Sequence, residues 1–144
     1  MVLNDTIRLL RECNAGVKMG ISSVEEMLPK VENTKLKDLL QAHLNTSHDI
    51  MNKTYEMLAS CGDDGKEPNK MAKGMSYIKT NMKIAMEHSD STIADLITEG
   101  CDMGIRSLQR YVNQYQAADD CAKKIATELM EAEGHLRDCM RQYL

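Results

Sequence analysis

Phenylalanine and tryptophan are absent from this chain, proline occurs twice, and no apolar stretch approaches the ~20 residues that span a bilayer. The first two absences, set beside an abundance of helix formers, disfavour a sheet and favour an all-helical protein. The third excludes a transmembrane segment. Met1 to Leu10 has neither a basic leader region nor a small-residue cleavage site, so a cytoplasmic protein is the expectation. No C-x-x-C pair occurs among Cys13, Cys61, Cys101, Cys121 and Cys139, and their number is odd. That spacing indicates neither a disulfide framework nor a zinc finger. No basic stripe interleaved with aromatics is present, and the formal charge is −4, which argues against nucleic acid as a partner.

What the chain does have is periodicity. Its 144 residues are enough for one domain. Leu3, Ile7, Leu10, Asn14, Val17, Ile21, Val24 and Leu28 follow a 4-3-4-3 spacing, which predicts a helix ending before Pro29. A second helix, capped at Asn33 or Thr34, carries Leu36, Leu40, Leu44, Ser47, Met51, Tyr55 and Leu58 and stops at Cys61-Gly62-Asp63-Asp64-Gly65. From Pro68 a shorter helix with Met71, Met75, Ile78, Met82 and Ala85 runs to about His88, and a break follows at Ser89-Asp90-Ser91. Ala94, Ile97, Cys101, Gly104, Leu108, Tyr111 and Tyr115 mark the third long helix. Behind the cap at Asp119, Ala122, Ile125, Leu129, Ala132, Leu136, Cys139 and Tyr143 mark the fourth.

The long helices form an internal repeat. Cys13-Asn14-Ala15-Gly16-Val17-Lys18 returns as Cys101-Asp102-Met103-Gly104-Ile105-Arg106, and each copy precedes a histidine, His48 or His135. Two half-sites facing each other inside a bundle are the expectation. Residues 3–60 then form one antiparallel hairpin, 61–89 a crossover with the short helix, and 90–143 the second hairpin, within one domain spanning 1–144. A connection as long as 61–89 suits a crossover along the bundle rather than a tight loop.

Asn14, Asp102, His48 and His135, in this arrangement, resemble the ligand positions of ferritin-like carboxylate proteins. There each hairpin supplies a Glu from one helix and a Glu-x-x-His from the next. Asn14 and Asp102 stand at the first-helix glutamates. Asn45-Thr46-Ser47-His48 and Ala132-Glu133-Gly134-His135 stand at the two Glu-x-x-His motifs. The chain looks most like the uncharacterised bacterial ferritin-like proteins that keep the bundle and lose most iron ligands, some of them from spore-forming bacteria. The resemblance implies a four-helix bundle with a degenerate di-iron site. Only one carboxylate of four remains, and Asn14, Asn45 and Ala132 carry no charge to offset two metal ions. His48, His135 and Asp102, with Asn14 beside them, still make a candidate site for one Fe, Mn or Zn ion, and Glu12, Glu99, Glu128 and Glu131 are carboxylates within recruiting range. No resident cofactor is expected otherwise.

Other readings compete. Asn14 on an apolar seam needs a hydrogen-bond partner, for which His48, Asp102 or a water are candidates, and it then simply fixes register. Gly16 and Gly104 suit either room for a ligand or a close helix crossing. Cys13 and Cys101 with nearby methionines are a weak soft-metal pair, and the methionines fill a core without phenylalanine equally well. Ala42-His43-Leu44-Asn45 faintly resembles a phosphotransfer helix, but His43 falls at the edge of an apolar stripe where a phosphoryl acceptor must be exposed. The leading expectation is a non-catalytic structural or interaction bundle, as a homodimer or with another protein partner. A metal-binding redox or storage protein is the alternative.

Overall fold

Helix boundaries fall where local chemistry stops or starts the chain. The computed structural model describes residues 2–63 and 89–144. It contains α1 (Val2–Met27), α2 (Thr34–Ser60), α3 (Asp90–Gln114) and α4 (Asp120–Met140), with 3-10 turns at Leu28–Lys30 and Arg141–Tyr143. Pro29 lies in the turn that ends α1. Asn33 Oδ1 accepts from the Leu36 N–H at 3.0 Å and Asp119 Oδ1 from the Ala122 N–H at 2.8 Å, so both expected caps form. Past α2 the chain turns through Gly62 at φ +73°, a left-handed position that favours glycine.

Polar contacts at the helix ends set the topology. The Asp90 carboxylate accepts the Glu32 and Asn33 N–H groups at 2.9 and 2.8 Å, which places the start of α3 at the α1–α2 turn. Asp5 and Thr6 accept the Ala117 and Asp119 N–H groups at 3.1 and 2.9 Å, so α4 starts beside the start of α1. Arg11 pairs with Asp63, returning the end of α2 to that same end. Thus α1 and α4 run one way, α2 and α3 the other, and the described residues form an all-α four-helix bundle of two antiparallel hairpins. The short helix expected from Pro68 to His88 lies outside the described residues.

Leu9, Leu10, Leu36, Leu40, Leu58, Ile93, Leu129 and Met140 are buried almost completely. Each large aliphatic side chain buried this way contributes about 1.5–3 kcal/mol. The seams expected from strict heptad spacing hold in the middle of the helices and slip at their ends. Leu3 is exposed, and on α2 burial passes from Met51 and Tyr55 to Ile50 and Thr54. The reason is geometric: a straight helix drifts about 20° per heptad, so over a helix as long as α2 a 3.6-residue period replaces the 3.5 one. Among the described residues no helix is long and apolar enough to cross a membrane.

Candidate functional site

The four residues singled out from the repeat occupy four different settings. Asn14 is fully buried, and its Nδ2 donates to Thr54 Oγ1 at 2.9 Å, while the Thr54 hydroxyl donates to the Met51 carbonyl at 2.6 Å. The partner is therefore Thr54, across the α1–α2 hairpin, and not His48 or Asp102. Asn14 Oδ1 has no partner among the described residues. Asp102 is exposed and accepts from Arg137 Nη1 at 3.0 Å. His48 is exposed, and His135 is exposed with its Nε2 3.7 Å from Cys139 Sγ. Among the described residues no three His, Cys, Asp or Glu side chains gather as a set of cation ligands. A di-iron group does not fit such an arrangement, because its charge has to be met by converging carboxylates.

A different feature dominates this half of the molecule. A groove of about 480 Å³ opens between α1 and α3, floored by Leu129, Glu133 and Leu136 of α4 and by His43 of α2. Four glycines line it, Gly16 and Gly20 on α1 and Gly100 and Gly104 on α3. Such G-x-x-x-G pairs ordinarily let two backbones approach closely. Here they do not. A Cβ built on Gly16 or Gly100 meets nothing within 4 Å, and on Gly20 or Gly104 only the Glu133 side chain, at 3.6 and 4.0 Å. The missing side chains leave open volume, which Met19, Val24, Met27, Leu96, Ile97, Leu108 and Tyr111 wall with apolar surface.

The polar groups of the groove converge at its floor. Cys101 of α3 neighbours the Glu133 carboxylate, and His43 Nε2 stands 4.0 Å from Glu133 Oε1. The His43 and Glu133 side chains are only 7% and 15% exposed. Burial raises the Glu133 carboxyl above the usual glutamate range, partly countered by the neighbouring Cys101 thiol. Burial, with the nearby His135, lowers His43 to about 4, so the imidazole is neutral at neutral pH. Cys101 is held firmly as the thiol by burial and by Glu133, and burial pushes Cys13 up to about 12. His43 also lines a smaller recess with His135 and Cys139 on the α2–α4 side. Glu12 of α1 lines the groove and has a partner of its own.

This chemistry is poor for nucleophilic catalysis. Buried neutral thiols are not nucleophiles. The Ser47 hydroxyl lies 3.3 Å from His43 Nε2, but Ser47 is buried and lines neither cavity. Glu133 faces that same Nε2, so it does not orient the ring from Nδ1 as the third member of a triad does. What the floor can do is hydrogen-bond and exchange a proton with a bound molecule. Sequence reasoning missed Glu133, which lies inside the Ala132–His135 window, and set His43 at a stripe edge. The signal that would have found the groove was the pairing of Gly16 with Gly20 and of Gly100 with Gly104.

Compared with protein-family models, with curated protein sequences and with solved structures, the chain matches none of them.

Proposed function

We propose that this chain is a non-catalytic bundle of ferritin-like plan whose work is to bind a small, largely apolar molecule in the groove between α1 and α3. The observation that carries the reading is the set of four groove-lining glycines, where an added Cβ would meet nothing at Gly16 and Gly100 and only the Glu133 side chain at Gly20 and Gly104. A glycine in a helix interior costs about 1 kcal/mol relative to alanine, so four of them forfeit roughly 3–4 kcal/mol of helix propensity. Close packing does not require that sacrifice at Gly16 or Gly100, whereas an open cavity does. The groove volume also falls within the range of small-molecule pockets, about 300–1,000 Å³, and its mainly apolar wall with a few convergent polar groups is their usual make-up.

The test is to fill the space. Gly16→Leu places a strong helix former where a Cβ meets nothing, so the fold is kept while the groove is occupied. Thermal stabilisation by short aliphatic alcohols is expected in the native protein and absent in Gly16→Leu. Equal stabilisation of both would refute a site in this groove.

The competing proposal, a single Fe, Mn or Zn ion on His48, His135, Asp102 and Asn14, requires Asn14 to leave Thr54 and Asp102 to leave Arg137. Metal titration of the native protein against His48→Ala/His135→Ala separates the two, since stoichiometric binding lost in the variant favours the metal. Self-association as a homodimer is compatible with either and is read by sedimentation.

A further inference from the structure

We infer that the molecule this groove takes carries a protonated amine on an aliphatic or aromatic body, the ammonium pairing with Glu133; the inference rests on the groove being a ligand site at all. Three observations carry it. First, no Lys or Arg lines the groove among the described residues, while two carboxylates, Glu133 and Glu12, do. An anionic head group such as a carboxylate or phosphate would find no lysine or arginine of the described residues to pair with there. Second, among the described residues the neighbours of Glu133 supply no cation. Cys101 from α3 stands beside it as a neutral thiol, His43 from α2 faces it as a neutral imidazole, and on α4 itself Arg137 is engaged with Asp102 and Asp138. Third, Gly20 of α1 and Gly104 of α3 bracket the carboxylate, their absent side chains leaving the approach to it from the groove clear. A buried carboxylate without a positive partner is costly, and a ligand ammonium removes that cost through a charge-assisted hydrogen bond.

The protons balance by either route. An ammonium that enters beside a protonated Glu133 displaces that proton to solvent, and a free amine takes the Glu133 proton directly. Both end as the same ammonium–carboxylate pair. Because burial raises the Glu133 carboxyl, binding lowers it, and affinity for an amine therefore rises with pH through the Glu133 titration until the amine itself deprotonates.

The experiment is isothermal titration of the whole chain with three probes that share one tail, n-octylamine, 1-octanol and octanoate, in two buffers of different ionisation enthalpy. The expected result is octylamine tightest by roughly tenfold or more over octanol at neutral pH, octanoate weakest, and, in the pH range where Glu133 titrates, proton release with the amine alone. In Glu133→Gln, which keeps the side-chain volume, the amine advantage over octanol and its proton release are lost, while an unchanged far-ultraviolet circular dichroism spectrum shows the variant to be folded. Octanol or octanoate equal to or tighter than the amine, or an amine advantage that survives Glu133→Gln, overturns the inference while leaving the groove a ligand site. Failure of all three probes overturns the reading of the groove itself.

Discussion

Among the buried polar side chains of this bundle, two groups are built in opposite ways. The Asn14–Thr54 pair joins α1 to α2 through a neutral amide and a hydroxyl, lines neither the groove nor the smaller recess, and carries no ionisable atom. The Glu133–His43–Cys101 group joins α4, α2 and α3, faces open space, and consists entirely of titratable side chains. The first has the make-up of a register pin, whose contribution is the same at any pH. The second costs stability where it stands, since both Glu133 and His43 have their charged forms disfavoured by burial. A core that keeps such a group beside a cavity keeps it for something other than stability.

The comparison can be broken most forcefully through pH. His43 is lowered to about 4 in the fold, so the unfolded chain binds its proton first as pH falls. Its neutral form therefore supports the fold above about pH 6.5, and that support is lost progressively as pH falls toward 4, an effect of order 3 kcal/mol. Glu133 acts with the opposite sign. Its raised carboxyl favours the fold at low pH and loses that contribution as pH rises from the ordinary glutamate range through the folded value. Glu133→Gln is thus expected to raise the melting temperature at neutral pH and to leave the acid-side loss from His43 undisguised. Adding His43→Gln should flatten that loss, as urea unfolding of the two variants across pH will read; identical pH profiles would contradict the assignment.

Next in size is the pin. Thr54→Val leaves the Asn14 amide without an acceptor and is expected to cost about 1–3 kcal/mol, equally at acid and neutral pH. Asn14→Leu in the Thr54→Val background should recover much of that cost, because replacing both partners by apolar groups removes the stranded amide. Denaturant unfolding measures both. A pH-dependent loss would show that the pair is linked to the titratable group.

Smaller still are the glycines. Gly16→Ala and Gly100→Ala are each expected to stabilise by about 0.5–1 kcal/mol, since the added methyl meets nothing and the helix gains propensity. Destabilisation by either would mean that the backbones close on each other after all. At the low end, Asp102→Ala removes an exposed ion pair with Arg137 and should change stability by no more than about 0.5 kcal/mol.

The all-helical bundle was legible because it rests on local signals, the apolar periods, the Asn33 and Asp119 caps and the stops at Pro29 and Gly62. That Asn14 needed a partner was legible too. Which partner was not, since Thr54 reaches it only through the register of α1 against α2. Register also explains Tyr55, which a strict heptad buries and the true helical period turns outward. The candidate site was harder to read for two physical reasons. A cavity is made by helices that stay apart, and nothing in one helix's pattern reports distance to another. His135, Asp102 and their repeat mates drew notice by spacing, whereas Glu133 and His43 owe their character to burial, a tertiary property.

The most direct test of the account follows the methionine methyl resonances during titration with n-octylamine. Met19, Met27 and Met103 line the groove, whereas Met57, Met130 and Met140 do not. The account predicts saturable shifts at the first three, abolished by Gly16→Leu, with the other three unmoved. Shifts spread evenly over all six, or none at the groove methionines at saturating probe, would contradict it.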